Sequence, residues 1–203
     1  MHKSDTPPAL APSATRSPQG LGQRVREIRK ARGWKLADLA ERTGLAISTI
    51  SKMERNEISL TYDRFMRLAQ GLGLDVGELF DPGAEGFERG AVSVTRAGQA
   101  PLHETRNYAY AMLGSDLTGK HMIPMAGTIK AHERADFTDF VSHPGEEFLM
   151  LLEGSLAVHI KGRDTITLAP GDSMYFDSGL GHVYVSAGDS DARILVVCWK
   201  PGK

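Results

Sequence analysis

Apolar residues recur every three or four positions from Leu21 to Phe80 and every second position beyond residue 91. The first period belongs to helices with one buried stripe, the second to strands with one buried face. Leu21, Val25 and Ile28 mark the inner face of a first helix over 21–32, and Gly33 ends it in the usual C-terminal position. The segments 36–42 and 46–55 form a helix pair hinged on Gly44, where a tight turn calls for positive φ. Thr61 reads as the N-cap of a fourth helix that buries Phe65, Leu68, Ala69 and Leu72. Asp63 complements that helix's dipole, and Asp75 opens a short fifth helix ending at Leu79 and Phe80. Five short helices predict an all-α domain over residues 21–80.

Residues 81–90 (DPGAEGFERG) carry a proline, three glycines and acids without period, and read as a linker. Residues 91–203 then predict short strands at 91–96, 107–113, 122–130, 147–152, 156–160, 165–168, 173–176, 182–186 and 194–199. Glycines and prolines separate them at regular intervals, the signature of a β-sandwich or barrel. Residues 1–20, rich in Pro, Ser, Thr and Ala, bury too little apolar surface to offset their ordering entropy and read as an unstructured tail.

Composition narrows the class. The single cysteine, Cys198, excludes an intramolecular disulfide and fits a reducing cytoplasm. No apolar run approaches the roughly 18 residues of a membrane span, and the N-terminus lacks a hydrophobic signal core. The formal charge of −1 hides an asymmetry: residues 21–80 hold eleven Lys/Arg against eight Asp/Glu, and residues 81–203 eleven against sixteen. Arg24, Arg26, Arg29, Lys30, Arg32 and Lys35 crowd one basic segment, which suits an anionic partner.

The second helix of the pair places Leu45, Ile50 and Met53 on one side and Ile47, Ser48, Thr49, Ser51, Lys52 and Arg55 on the other. Short hydroxyls hydrogen-bond base edges and phosphates, and cations neutralise phosphate, so the outer face suits a major groove. A solvated amphipathic hairpin presents the same pattern. The run LGQRVREIRKARGWKLADLAERTGLAISTISKMERN…LTYDRFMRLAQGLGLDVGELF resembles the XRE-type (phage repressor-like) helix-turn-helix domain along nearly its whole length. That resemblance implies Ile47, Ser48 and Lys52 toward bases, Thr49, Ser51 and Arg55 toward the DNA backbone, and an internal ion pair between Arg29 and Glu54. It departs from the family pattern at Leu36, where Gln is usual, at Asn56, where Gly is usual, and at Leu60, where Pro is usual. The missing Gln removes one phosphate contact, and Asn56 still tolerates the left-handed region.

In the β half, His143-Pro-Gly-Glu-Glu147 precedes a strand and Gly154, while Gly171-Asp172 precedes a strand, Gly179 and His182. Two imidazoles and a carboxylate from different strands can bind a divalent metal such as Zn, Fe, Mn or Ni, hold a small polar ligand, or stand as a structural polar cluster. These segments resemble the two motifs of the cupin family, a small double-sheet jelly-roll barrel (double-stranded β-helix). Family metal sites usually carry a further His where Val141 stands, so His143, Glu147 and His182 are an incomplete ligand set; Asp177 also replaces a proline. Tyr108, Tyr110, Met125, Tyr175, Tyr184 and Cys198 lie on strands able to line a pocket, about half of them facing inward. His103, His121, His132 and His159 show no partner and read as surface or loop residues. No Ser/His/Asp set, phosphate loop or CxxC pair is present.

The expected protein is therefore multidomain, α followed by all-β: a helix-turn-helix reader and a cupin barrel. The resemblances imply a cytoplasmic, non-enzymatic transcription regulator that binds double-stranded DNA at a palindromic operator as a homodimer. The barrel would bind a small-molecule effector or a metal. The rival expectation is a metal-dependent cupin enzyme, an isomerase or dioxygenase, fused to a DNA-binding domain.

Overall fold

Helices α1 (Leu21–Ala31), α2 (Leu36–Thr43), α3 (Ile47–Glu54), α4 (Tyr62–Leu72) and α5 (Val76–Phe80) build the N-terminal half of the computed structural model, which describes residues 20–80, 83 and 85–199. The segment expected as a tail lies outside the described residues except for Gly20. Each helix turns its apolar stripe inward, and Val25, Leu39, Ile50, Met53, Phe65, Leu68 and Leu72 form the buried centre. Gly44 takes φ 65° and turns α2 into α3, while Asn56 takes φ 58° beyond α3. At Gly22 a Cβ would lie 2.0 Å from the Met53 carbonyl oxygen, so α1 meets α3 at a distance only glycine permits. Arg29 and Glu54 form the expected pair: two parallel hydrogen bonds of 2.6 and 2.7 Å, both residues buried. A third Arg29 bond, 2.8 Å to the Trp34 carbonyl, ties the α1–α2 turn to this pair. Thr61 holds the N-cap position but makes no side-chain cap; its hydroxyl bonds the Asp63 carboxylate instead.

The C-terminal half contains β1 (Glu85–Gly86), β2 (Leu102–Glu104), β3 (Tyr108–Met112), β4 (Leu117–Thr118), β5 (Met122–Ile129), β6 (Glu146–Glu153), β7 (Leu156–Ile160), β8 (Ile166–Leu168), β9 (Ser173–Asp177), β10 (His182–Ser186) and β11 (Ala192–Trp199). A six-stranded sheet runs β2-β3-β5-β11-β6-β9 and a three-stranded sheet runs β10-β7-β8. Every pairing in both is antiparallel. Their inner faces hold Met125, Ile129, Leu149, Leu151, Leu156, Val158, Ile194 and Val196, the core of a double-sheet barrel.

Three stretches differ from expectation. Residues 91–96 alternate like a strand but form none: Val92 and Val94 are exposed, and side-chain bonds from Ser93 to Asp116 and from the Gly114 N–H to Thr95 tether the segment. Alternation without a buried face marks no strand. Part of the expected linker is β1, which pairs parallel with β4. His103 is buried on β2, not at the surface. Its Nε2–H donates to the Leu60 carbonyl oxygen at 2.7 Å, and its ring stacks on Phe65 at 5.3 Å. The start of α4 is thereby fastened to the barrel edge.

Candidate effector chamber and nucleic-acid interface

Strand register places the polar residues of the barrel interior. Glu147 and Cys198 are direct cross-strand partners on β6 and β11, and both fall on the inward face. His182 opens β10 and bonds Val141 through both backbone groups, at 3.1 and 2.8 Å. His143, just before β6, is positioned by its N–H donating to the Ser178 carbonyl at 3.0 Å. Asp177, in place of the usual proline, accepts the Gly179 N–H at 2.8 Å and so makes the turn in another way.

The three predicted residues converge. His143 Nε2 lies 3.1 Å and His182 Nε2 3.7 Å from the same Glu147 oxygen, Oε2, and the Tyr184 hydroxyl donates to the other, Oε1. The Cys198 thiol donates to Oε2 at 3.6 Å. Burial opposes the charge on Glu147, but the His143 hydrogen bond and the neighbouring imidazoles outweigh it and hold the carboxyl below its ordinary range. Burial pushes His182 down, so it is neutral near pH 7. Its Nδ1–H donates to the Leu180 carbonyl at 2.8 Å. The proton therefore sits on Nδ1, and the Nε2 lone pair faces the Glu147 carboxylate. A lone pair aimed at an anion calls for a cation or a proton donor between them. An orienting carbonyl behind a ligating imidazole is also the usual arrangement in metal sites. His143 and Glu147, with His182 Nε2 3.7 Å from the same carboxylate oxygen, offer donors of the kind a divalent ion takes. The ligand atoms of His143, Glu147 and Cys198 lie within 4.8 Å of one another, so among the described residues the thiol, and not His182, is the third donor of the metal-sized group.

Tyr108, Tyr110, Met125, Tyr184, Val141 and Cys198 line the same chamber, whereas Tyr175 is exposed on the outer face. Two lining residues, Thr61 and Tyr62, come from the helical half, and nothing in their local sequence marks them for a site in the barrel. The free cavity is about 30 Å³. That is room for an ion or one or two waters, since one water needs roughly 10–15 Å³.

On the helical half, α3 carries the predicted reading residues. Ile47, Ser48, Lys52 and Arg55 are exposed, and Thr49 and Ser51 half-buried. Arg55 follows the helix and is engaged by Glu57 at 2.5 Å and by the Ser51 hydroxyl, so a phosphate must compete with Glu57 for it. Lys52 is exposed and feels Glu57 only through space, which makes it a freer cation than Arg55.

A helix pair with an exposed polar and basic face, joined to a barrel with a chamber of His143, Glu147 and His182, defines a class. The chain belongs to the helix-turn-helix regulators that carry a cupin domain: a helix-turn-helix family model matches residues 25–79 and a cupin-domain model residues 129–198. Among its relatives is the HTH-type transcriptional regulator PuuR of Escherichia coli (strain K12), 27% identical over 182 residues, covering 88% of this chain and 95% of that protein. Another is the (S)-2-hydroxypropylphosphonic acid epoxidase of Streptomyces wedmorensis, 24% identical over 189 residues, covering 88% of this chain and 94% of that enzyme. The fold is shared with the crystal structure of an HTH_3-family transcriptional regulator from Vibrio cholerae, at TM-score 0.57 and 20% identity, over 92% of this chain and 98% of that one.

Proposed function

We propose that this chain is a cytoplasmic, dimeric, sequence-specific DNA-binding transcription regulator, and not an enzyme, whose barrel chamber takes a small effector. The carrying observation is α3: its inner face is sealed into the bundle, while Ile47, Ser48, Lys52 and Arg55 stand in solvent. Ser48 and Lys52 reach base edges, Ile47 meets a thymine methyl, and Thr49, Ser51 and Arg55 contact the DNA backbone. Among the described residues no helix is long and apolar enough to cross a membrane.

One such helix reads only a few base pairs, so useful specificity needs two readers on half-sites about one helical turn apart, and hence a palindromic operator. The outer face of the six-stranded sheet supplies an apolar surface for a second copy. Met122 is 63% and Leu102 55% exposed there, beside half-buried Pro124, Phe148, Met150, Leu195 and Val197. Apolar residues gathered on one exposed sheet face mark a protein–protein contact.

A divalent ion held by His143, Glu147 and His182 would supply a Lewis-acidic anchor for an effector. Without it, Tyr184 and the imidazoles still offer hydrogen bonds to a polar guest. The His-Glu-His set also favours a second reading, a metal-dependent enzyme, because that donor set leaves positions for substrate. Metal analysis of purified protein with a His143→Ala variant separates the two. Stoichiometric redox metal with a turnover lost in the variant makes it an enzyme.

The DNA reading is tested by selection of duplexes followed by salt titration. Affinity is expected to fall steeply with salt, and Lys52→Ala to weaken binding and lower the salt slope by about one. Binding that shows no preference among duplexes, and no dependence on Ser48 or Lys52, overturns it.

A further inference from the structure

The chamber has a roof, and the roof belongs to the reader. Tyr62 is the first residue of α4, yet its ring packs edge-on against His143 at 5.0 Å, and the residue lines the cavity with Thr61. Its hydroxyl is buried without a hydrogen-bond partner of ordinary geometry, beside the Cys198 thiol. A thiol is a weak partner for a hydroxyl, so the Tyr62 ring is held there by steric fit more than by polar anchoring. Next to it, the Leu60 carbonyl accepts from His103 and Phe65 stacks on the His103 ring. These three residues seat the start of α4 on the barrel edge.

Size decides what the seated lid allows. The free volume is about 30 Å³, whereas pockets for organic ligands run from roughly 300 Å³ upward. An ion fits under the lid, and a metabolite does not. We infer that Tyr62 is a displaceable lid: an organic guest reaching His143, Glu147 and His182 takes the place of the Tyr62 ring and unseats α4 from β2. This rests on the chamber being an effector site. It adds that the guest competes directly with the DNA-reading domain of the same chain. Because α4 buries Phe65, Leu68, Ala69 and Leu72 in the reader core, α4 and the reader leave the barrel edge together.

Cys198 is the one cysteine of the chain and lies inside the chamber, so its alkylation reports on the lid. In the full-length protein, iodoacetamide is expected to react slowly with Cys198, the thiolate sulfur displacing iodide. Tyr62→Ala should accelerate this at least tenfold, and Tyr62→Phe should leave it unchanged because the ring alone forms the roof. His103→Ala, which spares the Tyr62 ring but cuts the clamp, should accelerate it too and carries the test if Tyr62→Ala does not fold. N-phenylmaleimide coupled to Cys198 serves as a covalent guest, and should raise hydrogen exchange at residues 60–66 and 102–104. Equal iodoacetamide rates in wild type and the folded variants overturn the lid, as does unchanged exchange in the labelled protein. Failure of the effector reading shows separately, as Zn²⁺ and metabolite extracts that bind neither wild type nor Tyr62→Phe while the Cys198 rates still follow the lid.

Discussion

Arg29 and Glu54 show how much can rest on one pair of residues. Both charges are buried, and each satisfies the other through two short hydrogen bonds. Replacing such a pair as a unit can be nearly neutral, whereas removing one partner strands the other charge. Glu54→Ala is expected to destabilise the reader by about 3–5 kcal/mol, read as a lower midpoint in urea unfolding followed at Trp34. The spacing of the two residues does not reveal the pair; the family resemblance implied it, and the fold brings together positions 25 residues apart. His103 is the opposite case. It offered no sign of a partner, because its acceptor is a backbone carbonyl 43 residues away in the other half of the chain.

At the scale of elements, the junction of α4 with β2 carries a pH dependence. Burial pushes His103 below its ordinary value, and the hydrogen bond to Leu60 opposes this only in part. The folded junction thus prefers neutral His103. Its contribution is whole above the unfolded value of about 6.5 and is lost as pH falls below that toward the folded value. The exposed His132, raised by its bond to Asp191, acts with the opposite sign. In a His132→Ala background, stability to urea is expected to drop between pH 7.5 and pH 5.5, and to drop less in His103→Gln. The sheets were legible as elements because alternation tracks a half-buried face. The short strands β1, β2 and β4 were not, since two or three residues show no period.

At the scale of the whole molecule, the proposed dimer rests on the outer face of the six-stranded sheet. Leu195 and Val197 lie at its centre, on β11 between β5 and β6. Leu195→Asp places a charge where a second copy would pack and leaves the barrel interior untouched. Sedimentation is expected to show a monomer, with unchanged circular dichroism and weaker binding to a two-half-site duplex. The monomer retains its reader, so binding to a single half-site should survive.

The one-dimensional pattern determined the five helices and the longer strands in their order, the outward face of α3 and the polar residues gathered in the barrel. Each of these follows from local periodicity or from motif spacing, which strand register converts directly into a shared face. Only the tertiary structure decided that Cys198 opposes Glu147, that the His182 lone pair faces a carboxylate, and that Tyr62 closes the chamber. These depend on packing between segments far apart in the chain. Helical periodicity reports which side of α4 is buried, and is silent about the neighbour its first residue meets.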